Sequence, residues 1–200
     1  MVEHAVPFPK DVPAPDECLT EVQMIEKRLL DGLITPEYAH IIKKWTGSDP
    51  FELRYAEFVS GAVDTPPTKK LQRYWARAKG TISRQDAHVP AVAYASDSRF
   101  IGTAVRVNPK TWAGDVGMIM SLDHTIYFHQ APETRADRWL LVESDSPWAG
   151  NERALVTQRI WDPELGLLAT CYQEGLIRLK DGTEDASKDS AVVGTKHSKL

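Results

Sequence analysis

Apolar residues first recur at helical spacing just after residue 19, where Val22, Ile25, Leu29 and Leu30 fall on one face, with Asp16, Glu17 and Thr20 at its start. Gly32 stops the pattern, which predicts a helix from Leu19. A second short helix follows: Thr35 caps it, Pro36 takes its first position, Tyr38, Ile41, Ile42 and Trp45 line one face, and Gly47 ends it. Phe51 to Tyr55 reads as a short strand and SGAVDTPPTKK as a Pro/Gly/Lys loop. Residues 1–17 are rich in Pro without any period and read as an extended linker with no core. The whole of 1–70 is thus expected to be linker and short helices rather than a domain.

From Leu71 the pattern is denser. Leu71, Arg73, Trp75 and Arg77 alternate with Gln72, Tyr74, Ala76 and Ala78, a period of two that predicts a strand ending at Gly80. His88 to Ala104 is mostly small and apolar without alternation and predicts a buried helix, in whose first turn Pro90 is tolerable. Three β-rich segments come next, Val116 to His129, Trp139 to Ser146 and Arg153 to Trp161, and residues 162–166 make a hairpin connection into a fourth, Leu167 to Leu179. One strand, one buried helix and four antiparallel strands describe an α+β layer over 71–180, a curved sheet wrapped around a single long helix. From Lys180 the chain turns polar without aromatic residues, so 181–200 is expected to be a mobile tail.

The 24 Lys+Arg against 28 Asp+Glu give a net charge of −4, which argues against a nucleic-acid binder. Two cysteines, Cys18 and Cys171, are too few for a disulfide framework, and no Cys/His spacing fits structural zinc. No apolar run reaches the roughly 20 residues of a membrane span, and the N-terminus carries Pro and acids where a signal peptide needs a basic start. Reduced thiols in an intracellular protein, neither secreted nor membrane-spanning, are the expectation.

Chemistry is sought where polar residues break apolar strands. SLDHTIYFH sets Asp123 and His124 within Ile, Leu, Tyr and Phe, where a carboxylate either bonds neighbouring amides at a bulge or serves a function. His124 and His129 would fall on opposite strand faces, so no metal is expected. Ser144, Asp145 and Ser146 precede Pro147, a place for turn hydroxyls, and Gln173 in CYQEGLIRL is an amide in an apolar strand. The basic and aromatic face of Arg73, Tyr74, Trp75 and Arg77 suits either phosphate or arginine stems lying on apolar surface. G-x-S-x-G, P-loop and G-x-G-x-x-G signatures are missing.

At SLDHTIYFH, RADRWLLVESDSPWAG and ATCYQEGLIRLK, with AYASDSRFIG upstream, the chain resembles the acyl-CoA thioesterase II family of double-hotdog thioesterases, specifically their C-terminal hotdog domain. That resemblance implies a hotdog fold and hydrolysis of acyl-CoA without a metal or organic cofactor. It also implies that an Asp, a Ser or Thr and a Gln hold and activate a water; the matching positions are Asp123, Ser146 and Gln173, with Ser144 two residues from the second. A carboxylate serves as general base, while a hydroxyl and an amide orient the water. Backbone amides around His88 to Val92 are candidate oxyanion donors. Family members join two hotdogs in one chain, so EHAVPFPKDVPAPDE reads as the linker after a first hotdog, and the single domain is expected to form a homo-oligomer or pair with another hotdog. Ser198, Lys199 and Leu200 match the S-K-L address read by the peroxisomal import receptor, so a peroxisomal location is expected. Two alternatives remain: a truncated thioesterase recruited to specialised metabolism, and a non-catalytic hotdog assembly subunit.

Overall fold

The structure, a computed structural model, describes residues 2–62, 64–108 and 115–180. The predicted tail and its S-K-L lie outside the described residues.

Both predicted N-terminal helices form, and their caps show why. Ahead of α1 (Glu21–Leu30), Thr20 Oγ1 accepts from Gln23 N at 3.1 Å while Gln23 Oε1 accepts from Thr20 N at 2.9 Å, a reciprocal box that satisfies two otherwise free amides. Gly32 follows with φ 68°, as a helix stop requires. Ahead of α2 (Pro36–Ser48), Thr35 Oγ1 accepts from Tyr38 N at 3.2 Å.

The remaining elements build one antiparallel sheet of eight strands: β1 (Leu19–Thr20), β2 (Phe51–Glu57), β3 (Gln72–Ala78), β4 (Val116–Ser121), β5 (Thr125–Phe128), β6 (Leu140–Gly150), β7 (Arg153–Asp162) and β8 (Gly166–Leu179). Their order is β1-β2-β3-β6-β7-β8-β4, with β5 also paired to β8. Gly166, with φ 83°, closes the predicted β7–β8 hairpin, and Asp162 Oδ1 accepts from the amides of Glu164 and Leu165. Two helices, α3 (His88–Asp97) and α4 (Gly102–Arg106), lie against the sheet. Between them the core gathers Val92, Phe100 and Ala104 from the helical layer with Tyr74, Val142, Val156, Leu168 and Cys171 from the strands. This is the hotdog arrangement expected from the sequence.

Several expectations are corrected. β2 pairs with β3 from Phe51↔Ala78 to Glu57↔Arg73, and Phe51, Leu53 and Tyr55 join the same core, so the sheet and its core continue across residue 70. Residues 2–18 also pack rather than hang free: Phe8 and Val12 cover Trp75, Leu141 and Trp161 on the outer face of the sheet, and Trp75 Nε1 donates to Pro13 O at 2.9 Å. A Pro-rich segment has no period to read, yet it covers apolar outer-face residues that the strand pattern alone leaves exposed.

The long helix is interrupted at residues 98–101, where Phe100 N donates to Asp97 O at 3.3 Å and Thr103 N to Phe100 O at 2.9 Å. There Phe100 enters the core with no exposed surface, while Arg99 turns out to pair with Glu21 and Asp49. The single strand expected over 116–129 is two, β4 and β5, parted by Leu122, Asp123 and His124. The strand expected to end at Ser146 continues to Gly150 through a bulge between Asp145 and Trp148.

The basic and aromatic strand face resolves into ordinary surface pairs. Arg73 bonds Glu143 at 2.6 Å, Arg77 bonds Glu52 and lies over the Trp139 ring, and Tyr74 points into the core.

Candidate active site

β4 and β5 run along the same edge of β8, one paired with Gly175–Leu179 and the other with Ala169–Tyr172. Gln173 and Glu174 therefore face the gap between them. The link closes it with its own groups: Leu122 N donates to Glu174 O at 2.9 Å, and Asp123 Oδ1 accepts from Glu174 N at 2.8 Å. A carboxylate here replaces a missing strand partner, a charge-assisted bond stronger than a neutral one. Asp123 itself is exposed, so its ionised form keeps contact with water.

The next residue, Gly175, shows how tightly this row is built. A Cβ there would come within 2.4 Å of the Ile101 side chain and 2.9 Å of Met120 O, so only glycine admits this approach of helix turn and β4.

Gln173 is fully buried beneath α3, and its Nε2 donates to Asp97 Oδ1 at 2.7 Å on the last turn of that helix. Its Oε1 has no donor among the described residues. Leaving such a buried acceptor unmet costs about 1–3 kcal/mol unless a water or ligand supplies the donor. Ser146 sits at the β6 bulge, 4% exposed, and its Oγ donates to Leu155 O at 3.0 Å. Leu155 is the register partner of Glu174, and Val156 that of Gln173. Ser146 is thus level with Gln173 but separated from it by β7, while Asp123, which lies outside the strands, reaches the same part of β8 through its bond to Glu174 N.

Ser144 stands apart from these groups. It registers with Gln158, whose Nε2 donates to Ser144 Oγ at 3.2 Å, and Gln158 in turn registers with Cys171.

An open cleft of about 440 Å³ is lined by Ala93, Tyr94, Asp97, Ser98 and His124. His124 is placed by its neighbours, with its ring edge-on to Phe100 at 5.8 Å and its Nε2 3.3 Å from Ser96 Oγ. Below them, burial pushes the Cys171 thiol up to about 12, partly offset by a hydrogen bond with Ser96, so it stays a neutral thiol. No cluster of three or more His, Cys, Asp or Glu able to hold a metal occurs among the described residues.

The amides around His88 to Val92 belong elsewhere. They occupy the first half of α3, whereas Asp97 ends it, about 8 to 14 Å away at 1.5 Å per residue. His88, 1% exposed, accepts instead from Ala136 N through Nδ1 at 3.1 Å.

Reading from the sequence missed Asp97 and the cleft-lining role of His124. The signals for Asp97 were an acid closing a mostly small, apolar helix and its place in AYASDSRFIG, one of the segments that carry the resemblance.

Comparison with known proteins agrees with this architecture. The family described as "Acyl-CoA thioesterase C-terminal domain" matches residues 15–177. Acyl-coenzyme A thioesterase 8 of Homo sapiens is 37% identical over 188 residues, 90% of this chain and 55% of the human protein. Acyl-CoA thioesterase 2 of Haemophilus influenzae is 26% identical over 181 residues, 90% of this chain and 60% of that protein. The chain thus spans little more than half the length of these relatives. Among solved structures, the acyl-CoA thioesterase II TesB2 from Mycobacterium marinum superposes with a TM-score of 0.63 at 24% identity, covering 91% of this chain and 59% of that one. A hot dog fold protein of unknown function from Alicyclobacillus acidocaldarius gives 0.56 at 17% identity, covering 89% and 57%. With the matched region running from the turn before β1 to within two residues of the end of β8, the chain belongs to the acyl-CoA thioesterase C-terminal domain family.

Proposed function

We propose that this chain hydrolyses acyl-CoA to a free carboxylic acid and coenzyme A through a water held by Asp123, Ser146 and Gln173. The observation that carries this reading is an exposed carboxylate anchored through Oδ1 to the Glu174 amide, one residue along from a buried Gln173 whose Oε1 lacks a donor, with an open cleft lined by their neighbours Asp97 and His124. The names of the relatives support the substrate class.

In this reading the water gives one hydrogen to Asp123 Oδ2 and the other to Gln173 Oε1, which leaves an oxygen lone pair directed at the thioester carbon. Ser146 lies across β7 from Gln173, two strand spacings of about 5 Å each, and would have to leave Leu155 O to reach the same water. Asp123 takes the proton as the C–O bond forms, the tetrahedral intermediate collapses, and the C–S bond breaks with coenzyme A leaving as thiolate. The proton on Asp123 passes to solvent or to that thiolate.

The test is release of free thiol from a panel of acyl-CoAs by the purified protein. Turnover above the uncatalysed rate that is lost on Asp123→Asn supports the reading; absence of turnover with every acyl-CoA overturns it. A specific observation favours a second reading, an assembly subunit: Met118, Ile119 and Met120 of β4 are 42%, 44% and 52% exposed on an outer strand, a surface suited to another hotdog. An inactive chain that forms a stable complex with a complete thioesterase would select that role. The S-K-L sequence at 198–200 supports a peroxisomal address, checked by whether its deletion moves a fluorescent fusion to the cytosol.

A further inference from the structure

His124 enters the cleft from the link between β4 and β5, and two contacts fix its ring: Phe100 edge-on at 5.8 Å and Ser96 Oγ 3.3 Å from Nε2. Ser96 is 1% exposed, one residue before the end of α3. A hydroxyl has one hydrogen to give, and Ser96 gives it to Ala93 O at 2.8 Å, the shorter of these two contacts. Cys171 makes no claim on that hydrogen, since a neutral thiol carries its own.

Ser96 Oγ can then only accept from the ring, so Nε2 of His124 carries the proton. In a neutral imidazole the other nitrogen is a bare acceptor. That nitrogen, Nδ1, has no partner among the described residues. Moving the proton to Nδ1 would set the Nε2 lone pair against that of Ser96 Oγ, so the tautomer is locked. Two other polar groups of the cleft are already engaged, Asp97 Oδ1 by Gln173 and Ser98 Oγ by Arg99 at 2.8 Å.

We propose that His124 Nδ1 is a substrate-binding acceptor, which receives the N–H of the first amide in the coenzyme A arm. This rests on the acyl-CoA reading proposed above. In an acyl-CoA that amide lies two methylenes beyond the thioester sulfur, which makes its N–H the nearest one to the reacting carbon. A simple hydrocarbon acyl chain offers none. His124 directly follows Asp123, so an acceptor locked here holds the thiol side of the substrate while the acyl carbon meets the water near Asp123.

The test crosses the enzyme with its substrate. An acyl thioester of N-acetylcysteamine keeps the amide, and the same acyl thioester of 2-mercaptoethyl acetate puts an ester oxygen where the N–H was. The unmutated protein should prefer the amide by about 10-fold in kcat/KM. His124→Gln sets its side-chain nitrogen near the place of Nε2, keeps a donor for Ser96 and has no acceptor at Nδ1. The preference should shrink below about twofold, through loss of rate on the amide substrate alone. Independently of turnover, nitrogen NMR of the histidine rings should show His124 protonated at Nε2. Adding coenzyme A, which carries the same amide, should shift its Nδ1 resonance.

Each contrary outcome is specific. Equal rates for amide and ester in the unmutated protein overturn the subsite while hydrolysis stands. If His124→Gln slows both substrates alike, Nδ1 acts on the chemistry and not on the amide, and the proposal falls. A preference that survives in His124→Gln assigns it to another group. A His124 protonated at Nδ1, or one whose resonance ignores saturating coenzyme A, overturns the subsite without any kinetics. If no thioester is turned over, the hydrolysis reading fails by itself and the ring spectra still decide the subsite, as they do should His124→Gln not fold.

Discussion

Asp123 Oδ1 accepts the backbone amide of Glu174 at 2.8 Å, at the point where neither β4 nor β5 offers β8 a strand partner. One side chain thereby repairs the sheet at the peptide that follows Gln173. The two readings open at the sequence level, a bulge-bonding carboxylate and a functional one, are compatible in this geometry.

For that reason Asp123→Asn should separate chemistry from folding. The amide oxygen of the new side chain still accepts from Glu174 N, so thermal unfolding should change little, while kcat falls about 100-fold to 10,000-fold through loss of the proton acceptor. On the proposed mechanism Ser146→Ala and Gln173→Ala should each cost less, and together less than their sum, because that mechanism has both hold one water. Steady-state kinetics with circular dichroism checks this; near-full activity of folded Asp123→Asn would remove Asp123 from the site.

Self-association should run through β4. Its exposed Met118, Ile119 and Met120 and its free edge favour strand or face pairing with a second hotdog, so the protein should be a dimer at micromolar concentration. Met118→Lys with Met120→Lys should shift it to monomer by light scattering. A monomeric unmutated protein would contradict the pairing.

Acid should loosen the start of α3. A hydrogen bond from Arg135, with that of the Ile82 amide and the nearby charge of Arg135, holds the Asp137 carboxyl below the usual carboxylate range despite its burial. A depressed folded value stabilises above the unfolded carboxylate value near 3.9, and that stabilisation is lost as pH falls through the folded value. Asp137→Asn should therefore lower stability at pH 6 and flatten its decline below about pH 4, measured by urea unfolding across pH. A parallel decline in both proteins would assign the acid sensitivity to other groups.

Both thiols should be silent in the native protein. Cys18 and Cys171 are buried, burial raises both thiols, and thiolate is the reactive form. A chromogenic disulfide reagent should label neither quickly at pH 8 and both after denaturation. In a thioesterase assay the signal then reports coenzyme A alone; rapid native labelling would show that the core opens.

Much of this molecule is legible along the chain. Thr20, Gln23, Gly32, Thr35 and Pro36 act within their own turns, so both N-terminal helices follow from local chemistry. The alternation of β3 assigns its faces correctly, with Gln72, Tyr74, Ala76 and Ala78 buried. Among candidate site residues, Asp123 and Gln173 show themselves by breaking apolar strands, and the structure draws them to neighbouring positions.

What the sequence by itself determined is the set of elements, an antiparallel sheet with a buried helix and the polar residues worth attention, because spacing, capping and turn chemistry act over a few residues; the hotdog assignment came from the family resemblance. Only the tertiary structure decided that β2 completes the sheet, that the Pro-rich segment covers Trp75 and Trp161, and that the helix breaks at Phe100. It alone joined Asp97 to Gln173, 76 residues apart, and set Ser144 against Gln158 while Ser146 bonds Leu155 O. The physical reason is the same in each case: strand order, register and the docking of α3 are fixed by long-range burial and ladder pairing, for which one-dimensional periodicity carries no signal.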